Sequence, residues 1–172
     1  MGKITLILGG SRSGKSKFAV RLAKAQGRKI AFIATAEAKD PEMQKRIAWH
    51  KKSRPRQWQT FEEPLKVANL LKKIGNQFDY VIIDCLTLLV SNLFLKGYTQ
   101  KPILQEIKRI CLILNKLRSK TIIISNEVGL GIVPENKLAR DFRDIAGKVN
   151  QIIAKKAEQV FLMTAGLPLR LK

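Results

Sequence analysis

The sequence predicts a single α/β domain, residues 1–172, built on a mainly parallel sheet with helices on both faces. Three observations lead there. Short apolar runs rich in β-branched residues alternate with helix-like segments from end to end. No apolar run approaches the ~20 residues that span a membrane. Neither an internal repeat nor a low-complexity linker divides the chain, and 172 residues with 45% hydrophobic content suffice for one real core.

The elements follow in order. Residues 4–9 (ITLILG), 29–35 (KIAFIAT), 80–85 (YVIIDC), 121–126 (TIIISN) and 159–164 (QVFLMT) read as strands. They are continuous rather than alternating because a strand covered on both sides has no polar face. Residues 57–63 (QWQTFEE) fit an edge strand or a loop. Residues 15–26, 41–53, 64–75, 86–95, 100–118 and 135–157 read as helices. The last is the clearest: Leu138, Phe142, Ile145, Val149, Ile152 and Ile153 keep a helical period, with Pro134 just ahead of it. The helix from residue 41 has Asp40 as its N-cap and Pro41 in its first turn.

Charge and cysteine content narrow the classes. Lys and Arg number 33 against 13 Asp and Glu, a formal net charge of +20 that attracts polyanions: nucleotides, nucleic acid or acidic membrane surfaces. The cations are scattered along the chain, as on a solvated surface. Aromatic residues are only 6%, which argues against a nucleic-acid partner read by base stacking. Cys85 and Cys111 lie far apart, without CxxC spacing or companion histidines, and read as reduced thiols. The N-terminal run lacks the character of a signal peptide, so a cytoplasmic location is expected.

Residues 9–16, GGSRSGKS, match G-x-x-x-x-G-K-[ST] between the first strand and the first helix. Gly9, Gly10 and Gly14 allow the backbone to curl so that N–H groups point at phosphate oxygens, and the helix adds its positive end. Lys15 would reach the β- and γ-phosphates, and Ser16 would offer a hydroxyl to Mg²⁺. Such a P-loop points to a nucleoside triphosphate. It also calls for an acid at the end of a buried strand to hold Mg²⁺ directly or through water. Asp84 in YVIIDC follows four apolar or aromatic residues, where the strand leaves the core, with helix N-cap as its other reading. A second strand exit, SNEVGLGIVPEN, supplies Ser125, Asn126 and Glu127, the last as a site residue or a loop anchor.

His50 is the only histidine. Met43, Ile47 and His50 fall on one helix face, which suits a packing histidine. Lys51, Lys52 and Arg54 suggest another role: their charge opposes protonation, keeps the imidazole nucleophilic and could neutralise a triphosphate. A neutral imidazole facing a nucleotide can attack phosphorus and split one transfer into two steps.

GGSRSGKS, FIATAEA, RIAWHKKSRPRQWQTFEEP, VIIDCLTLLVSNL and SNEVGLGIVPENKLARDFRDIAGKVNQ occur in this order over nearly the whole chain. Together they resemble the bifunctional adenosylcobinamide kinase/adenosylcobinamide-phosphate guanylyltransferases of cobalamin biosynthesis. The resemblance implies a RecA-like P-loop NTPase fold and a homotrimer with its active site near a subunit boundary. It implies phosphorylation of adenosylcobinamide with ATP or GTP, then transfer of GMP from GTP to adenosylcobinamide phosphate through a guanylylated histidine. On this pattern His50 carries the GMP. Gly9, Gly10, Ser11, Arg12, Ser13, Gly14, Lys15 and Ser16 form the nucleotide loop, with Thr35 and Ala36 beside it. Lys51, Lys52, Ser53 and Arg54 line the guanine nucleotide, Glu62 and Asp84 contact it, and Ser16 and Asp84 serve Mg²⁺. Trp49 departs from the polar or basic residue expected before the histidine, and the heavy positive charge is not a family requirement. Two rival readings remain at this point: a plain P-loop kinase in which His50 only packs, and a RecA-like nucleic-acid-binding ATPase.

Overall fold

The computed structural model describes residues 3–38, 40–52 and 54–172, apart from the side chains of Gln26 and Arg46. Strands β1 (Ile4–Gly9), β2 (Ile30–Ala34), β3 (Gln59–Glu62), β4 (Tyr80–Asp84), β5 (Lys120–Ile124), β6 (Gln159–Thr164) and β7 (Leu167–Arg170) form one seven-stranded sheet. Its order is β3-β2-β4-β5-β1-β6-β7. The first six strands are parallel, and β7 returns antiparallel on β6. Helices α1 (Lys15–Gln26), α2 (Pro41–Lys52), α3 (Val67–Ile74), α4 (Leu86–Leu95), α5 (Gln100–Leu114) and α6 (Lys137–Lys156) make the connections.

The period of two along each strand divides the interior into two cores. Leu6, Leu8, Ile33, Val81, Ile83 and Ile123 turn toward α3, α4, α5 and α6. Their neighbours Ile7, Phe32, Ile82, Ile122 and Ile124 turn the other way, toward Phe18, Ala19 and Ala23 of α1. Burial on both faces is the physical reason for the continuous apolar runs. Both cysteines are free and buried. Among the described residues no helix is long and apolar enough to cross a membrane.

Element ends depart from expectation where side chains intervene. α3 starts at Val67 because the Glu63 carboxylate accepts the backbone N–H groups of Leu65 and Lys66, at 3.1 and 2.7 Å, and turns the chain first. α5 stops at Leu114, and the segment after it tucks Leu117 into the core instead of continuing the helix. α6 starts at Lys137 under an Asn136 cap, whose Oδ1 accepts from Leu138 and Ala139; Pro134 lies upstream of the cap. Residues 59–62 of the ambiguous segment are an edge strand. β7 went unforeseen because LPLR is exposed throughout and carries a proline, features that only an edge strand accommodates.

At the base of the sheet Asp79 accepts backbone N–H bonds from Arg28 and Lys29, both at 2.9 Å, tying the entry of β2 to that of β4. These bonds hold its carboxyl below the usual range, the Lys29 amide contributing most. A depressed acid stabilises the fold above its unfolded-state pKa and loses that contribution as pH falls through the folded value. Asp79→Ala is therefore expected to lower Tm at neutral pH, with the gap to the unaltered chain closing as the buffer is taken below the ordinary carboxylate range. Thermal melts across acidic and neutral buffers check this.

Candidate functional site

The phosphate loop springs from Gly9, paired with Met163 of β6. Its φ is 149°, and an added Cβ would lie 2.6 Å from the Met163 carbonyl and 2.7 Å from Ser13 Oγ. Both the backbone and the space therefore demand glycine. Gly14, at φ 95°, caps α1, and a Cβ there would meet Gly166 Cα at 3.3 Å. The Gly166 amide donates to the Ser13 carbonyl at 3.2 Å, so the β6–β7 turn braces the loop from the side. Gly10 has open space around it and no positive φ. Gly9→Ala is thus expected to destabilise by about 1–3 kcal/mol, whereas Gly10→Ala leaves the melting curve close to unaltered. Denaturant unfolding of the two variants separates these outcomes.

Lys15, the first residue of α1, is buried to 8% exposure and reaches back to the Gly10 carbonyl. Ser13 Oγ is buried with no hydrogen-bond partner inside the loop. Ser16 Oγ donates to Asp84 Oδ2 at 3.0 Å, joining the start of α1 to the end of β4. Ser11 and Arg12 sit exposed on the loop's outer side, Arg12 at φ 55°.

Asp84 is the centre of the arrangement. Burial pushes its carboxyl up, while the Ser16 hydroxyl and the charges of His50, Arg54 and Lys15 pull it down. Cys85, not Asp84, caps α4, its Sγ accepting from the Leu88 amide at 3.4 Å. That leaves the Asp84 carboxylate to the loop. Burial, then the Asp84 charge, pushes the Cys85 thiol up to about 12, so it is an inert cap. Thr35 is fully buried and its hydroxyl is committed to Cys85, donating to the carbonyl at 2.7 Å and accepting from the amide at 2.9 Å. Asn92 on α4 donates to the Thr35 and Pro64 carbonyls. Thr35 thus fixes the chain just after Asp84, and Asn92 joins α4 to the chain leaving β2 and β3. Ala36 follows Thr35, half-buried.

α2 begins under the expected cap: Asp40 Oδ1 accepts from the Met43 amide at 2.7 Å. None of its described side chains joins either core; Met43, Ile47 and His50 are half-buried, and its other described residues are exposed. The expected inward face is therefore present but reaches neither core: the helix lies along the mouth of the site, and core packing does not account for its histidine. Trp49 is 65% exposed and sets its ring edge-on to His50, centroids 5.2 Å apart. Lys51 pairs with Glu62 at the end of β3, Lys52 is exposed, and Ser53 lies outside the described residues. Arg54 places its guanidinium carbon 3.7 Å over the Phe32 ring. Its Nη1 is buried without a hydrogen-bond partner among the described residues. Burial lowers the Arg54 pKa, and the charges of Asp84 and Glu62 oppose the shift.

Sequence reasoning named Ser125, Asn126 and Glu127 at the exit of β5 but missed the polar layer that joins them to Thr87 and Asn150. Ser125 donates to Asn150 Oδ1 at 2.7 Å and bonds Thr87 at 3.1 Å. Thr87 accepts the Asn126 amide at 2.6 Å. Asn150 donates to the Asn126 carbonyl and to Glu127 Oε2. The one signal available in the sequence was Asn150 itself, a polar residue beside Val149 on the apolar face of α6. Glu127 proves to be anchored, with Oε1 accepting the Gly129 amide at 3.1 Å and its own amide donating to Gly9 O at 3.1 Å.

The site therefore combines a loop of amides, a buried lysine, a serine–aspartate pair, a histidine and an arginine at the carboxyl ends of β1, β2 and β4. Such a set can hold a polyphosphate and present an imidazole to it.

Comparison with known proteins agrees with that geometry. The chain superposes on the RadB recombinase with a TM-score of 0.57 at 16% identity, over 94% of this chain and 74% of that one. That likeness speaks for the RecA-like P-loop fold alone. It is 44% identical over 167 residues to the bifunctional adenosylcobalamin biosynthesis protein CobP of Pseudomonas aeruginosa, covering 97% of this chain and 96% of the relative. It is 37% identical over 179 residues to the bifunctional adenosylcobalamin biosynthesis protein CobU of Escherichia coli, covering 97% and 98%. The family model described as cobinamide kinase / cobinamide phosphate guanyltransferase matches residues 5–171, and the chain belongs to that family.

Proposed function

We propose that this enzyme performs both reactions of its family: phosphorylation of adenosylcobinamide, then guanylyl transfer to adenosylcobinamide phosphate. The observation that carries the proposal is the convergence of Lys15, Ser16, His50 and Arg54 on the single carboxylate of Asp84. A plain kinase has no use for the histidine, and a nucleic-acid-stimulated ATPase finds no support in the family.

In the first reaction, the loop amides of residues 9–16 and Lys15 offset charge as the γ-phosphoryl group of ATP or GTP moves to the corrinoid hydroxyl. Positioning and electrostatics supply nearly all of that catalysis. Ser16 Oγ and Asp84 Oδ2, 3.0 Å apart, are the hard oxygen donors that Mg²⁺ favours. Among the described residues no cluster of three His, Cys, Asp or Glu side chains could hold a metal alone, so the ion would share its shell with nucleotide phosphates and water. When bound, Mg²⁺ supplies further neutralisation of phosphate charge.

In the second reaction, an imidazole nitrogen of His50 attacks the α-phosphorus of GTP, and the bond to pyrophosphate breaks. A phosphate oxygen of adenosylcobinamide phosphate then attacks the guanylyl phosphorus, breaking the P–N bond and freeing His50. Arg54, whose charge acts on Asp84, and the exposed Lys52 are the cations proposed to draw the leaving pyrophosphate, while the Lys51–Glu62 pair ties α2 to the sheet. The corrinoid is proposed to approach past Leu130, Ile132 and Val133, exposed in the loop after β5 and suited to its apolar flank. A cytoplasmic homotrimer, with the site near a subunit boundary, completes the proposal.

Chromatography of adenosylcobinamide incubated with Mg²⁺ and ATP, then GTP, tests it. Sequential appearance of the phosphate and the GDP-linked product is expected. An enzyme that stops at the phosphate despite bound GTP would reduce the reading to a plain kinase.

A further inference from the structure

One carboxylate at the site end of the sheet has no part in the steps above. β5 lies between β1, which leads into the phosphate loop, and β4, which ends in Asp84. Ile124 pairs with Ile7 on one side and Asp84 on the other, so the chain leaving β5 enters the gap between loop and acid. Glu127 stands in that exit, its amide on the Gly9 carbonyl at 3.1 Å.

Its side chain is held rather than loose. The Gly129 amide holds Oε1 at 3.1 Å, and Asn150 Nδ2 approaches Oε2 at 3.4 Å. Asn150 is itself 5% exposed and locked by Ser125, which Thr87 holds in turn. A carboxylate has about four acceptor positions, so two donors leave room for a substrate hydroxyl. The other acids near this edge are engaged or farther away. Asp84 accepts from Ser16, Glu62 pairs with Lys51, and Glu63 turns the chain into α3. Glu37 follows β2, which is separated from β1 by two strands.

We propose that Glu127 is the catalytic residue that receives the proton of the corrinoid hydroxyl in the kinase step. This rests on the bifunctional reading given above. As the hydroxyl oxygen bonds to the γ-phosphorus, its O–H bond breaks and the proton passes to a Glu127 oxygen. The γ-phosphorus bond to the bridging oxygen breaks, and the nucleoside diphosphate leaves with that electron pair. Glu127 then returns the proton to solvent. Guanylyl transfer to an already ionised phosphate needs no such acceptor, so the residue serves one reaction and not the other.

The test is Glu127→Gln, isosteric and able to keep the loop's shape, measured in both half-reactions. Kinase kcat on adenosylcobinamide is expected to fall about 10²-fold, within the range usual for a lost general base. Labelling of His50 by α-³²P-GTP and transfer onto supplied adenosylcobinamide phosphate continue. A variant that phosphorylates adenosylcobinamide at the unaltered rate overturns the proposal while leaving the bifunctional reading intact. Loss of both half-reactions together also overturns it, making Glu127 a loop anchor. Absence of kinase turnover in the unaltered enzyme overturns the reading and this proposal with it.

Discussion

Lys15→Met is expected to lower both activities by about 10³-fold, the upper end for loss of one preorganised charge donor. The prediction follows from where the ammonium sits. Lys15 opens α1 immediately after the Gly14 turn, is 8% exposed, and spans the loop to Gly10. A cation confined there meets any polyphosphate that the loop amides hold, whichever phosphorus reacts. In so dry a place its charge is weakly screened. Methionine keeps most of the aliphatic stem, so the loop should retain its packing while losing the charge. Steady-state rates for phosphorylation and for guanylyl transfer should therefore fall together. A variant that lost only one of them would show that the two reactions use different phosphate sites.

His50→Ala is expected to divide the reactions instead. Guanylyl transfer should disappear, because its first step lacks a nucleophile, and phosphorylation of adenosylcobinamide should continue. The position of α2 makes the experiment clean. The helix contributes to neither core, and His50 is half-buried at the site mouth. Its removal should cost the fold about 1 kcal/mol, as for a typical single substitution, since it is half-buried and its charge acts on Asp84. Its contact with the Trp49 ring edge is lost with little consequence, since Trp49 is already mostly exposed. Assaying each half-reaction with its own substrate checks the split. If both fell equally, the histidine would be holding the nucleotide rather than reacting with it.

The central strands and the phosphate loop were legible because strong local signals determine them. Continuous β-branched runs require burial on both faces, and GGSRSGKS requires a strand before it and a helix after it. β7 was illegible for the opposite reason. Its four residues are exposed, and an edge strand is defined by the partner it pairs with rather than by its own pattern. The extra length expected for α3, α5 and α6 reflects side-chain turns at Glu63, beyond Leu114 and at Asn136, which periodicity cannot register.

At the site, Asp84 could be picked out from its place at the end of an apolar run. The choice between metal-loop partner and helix cap needed coordinates: Ser16 takes the carboxylate and Cys85 takes the cap. The shared inward face of Met43, Ile47 and His50 was legible from spacing, but that it stops short of either core was not, because depth depends on what lies beneath the helix. Thr35, Asn92 and Asn150 were harder still. They act through backbone groups far away in the chain, and no local spacing encodes a bond from residue 92 to residue 35 or from residue 150 to residue 126.

The most direct test of the account is covalent. The enzyme would be incubated with Mg²⁺ and α-³²P-GTP, denatured, and the protein-bound label challenged with alkali and with mild acid. The account predicts label that survives alkali, is released by mild acid as a P–N bond should be, and is absent from His50→Ala. An enzyme that demonstrably binds GTP and yet carries no label, or carries it equally after His50→Ala, would contradict the histidine mechanism.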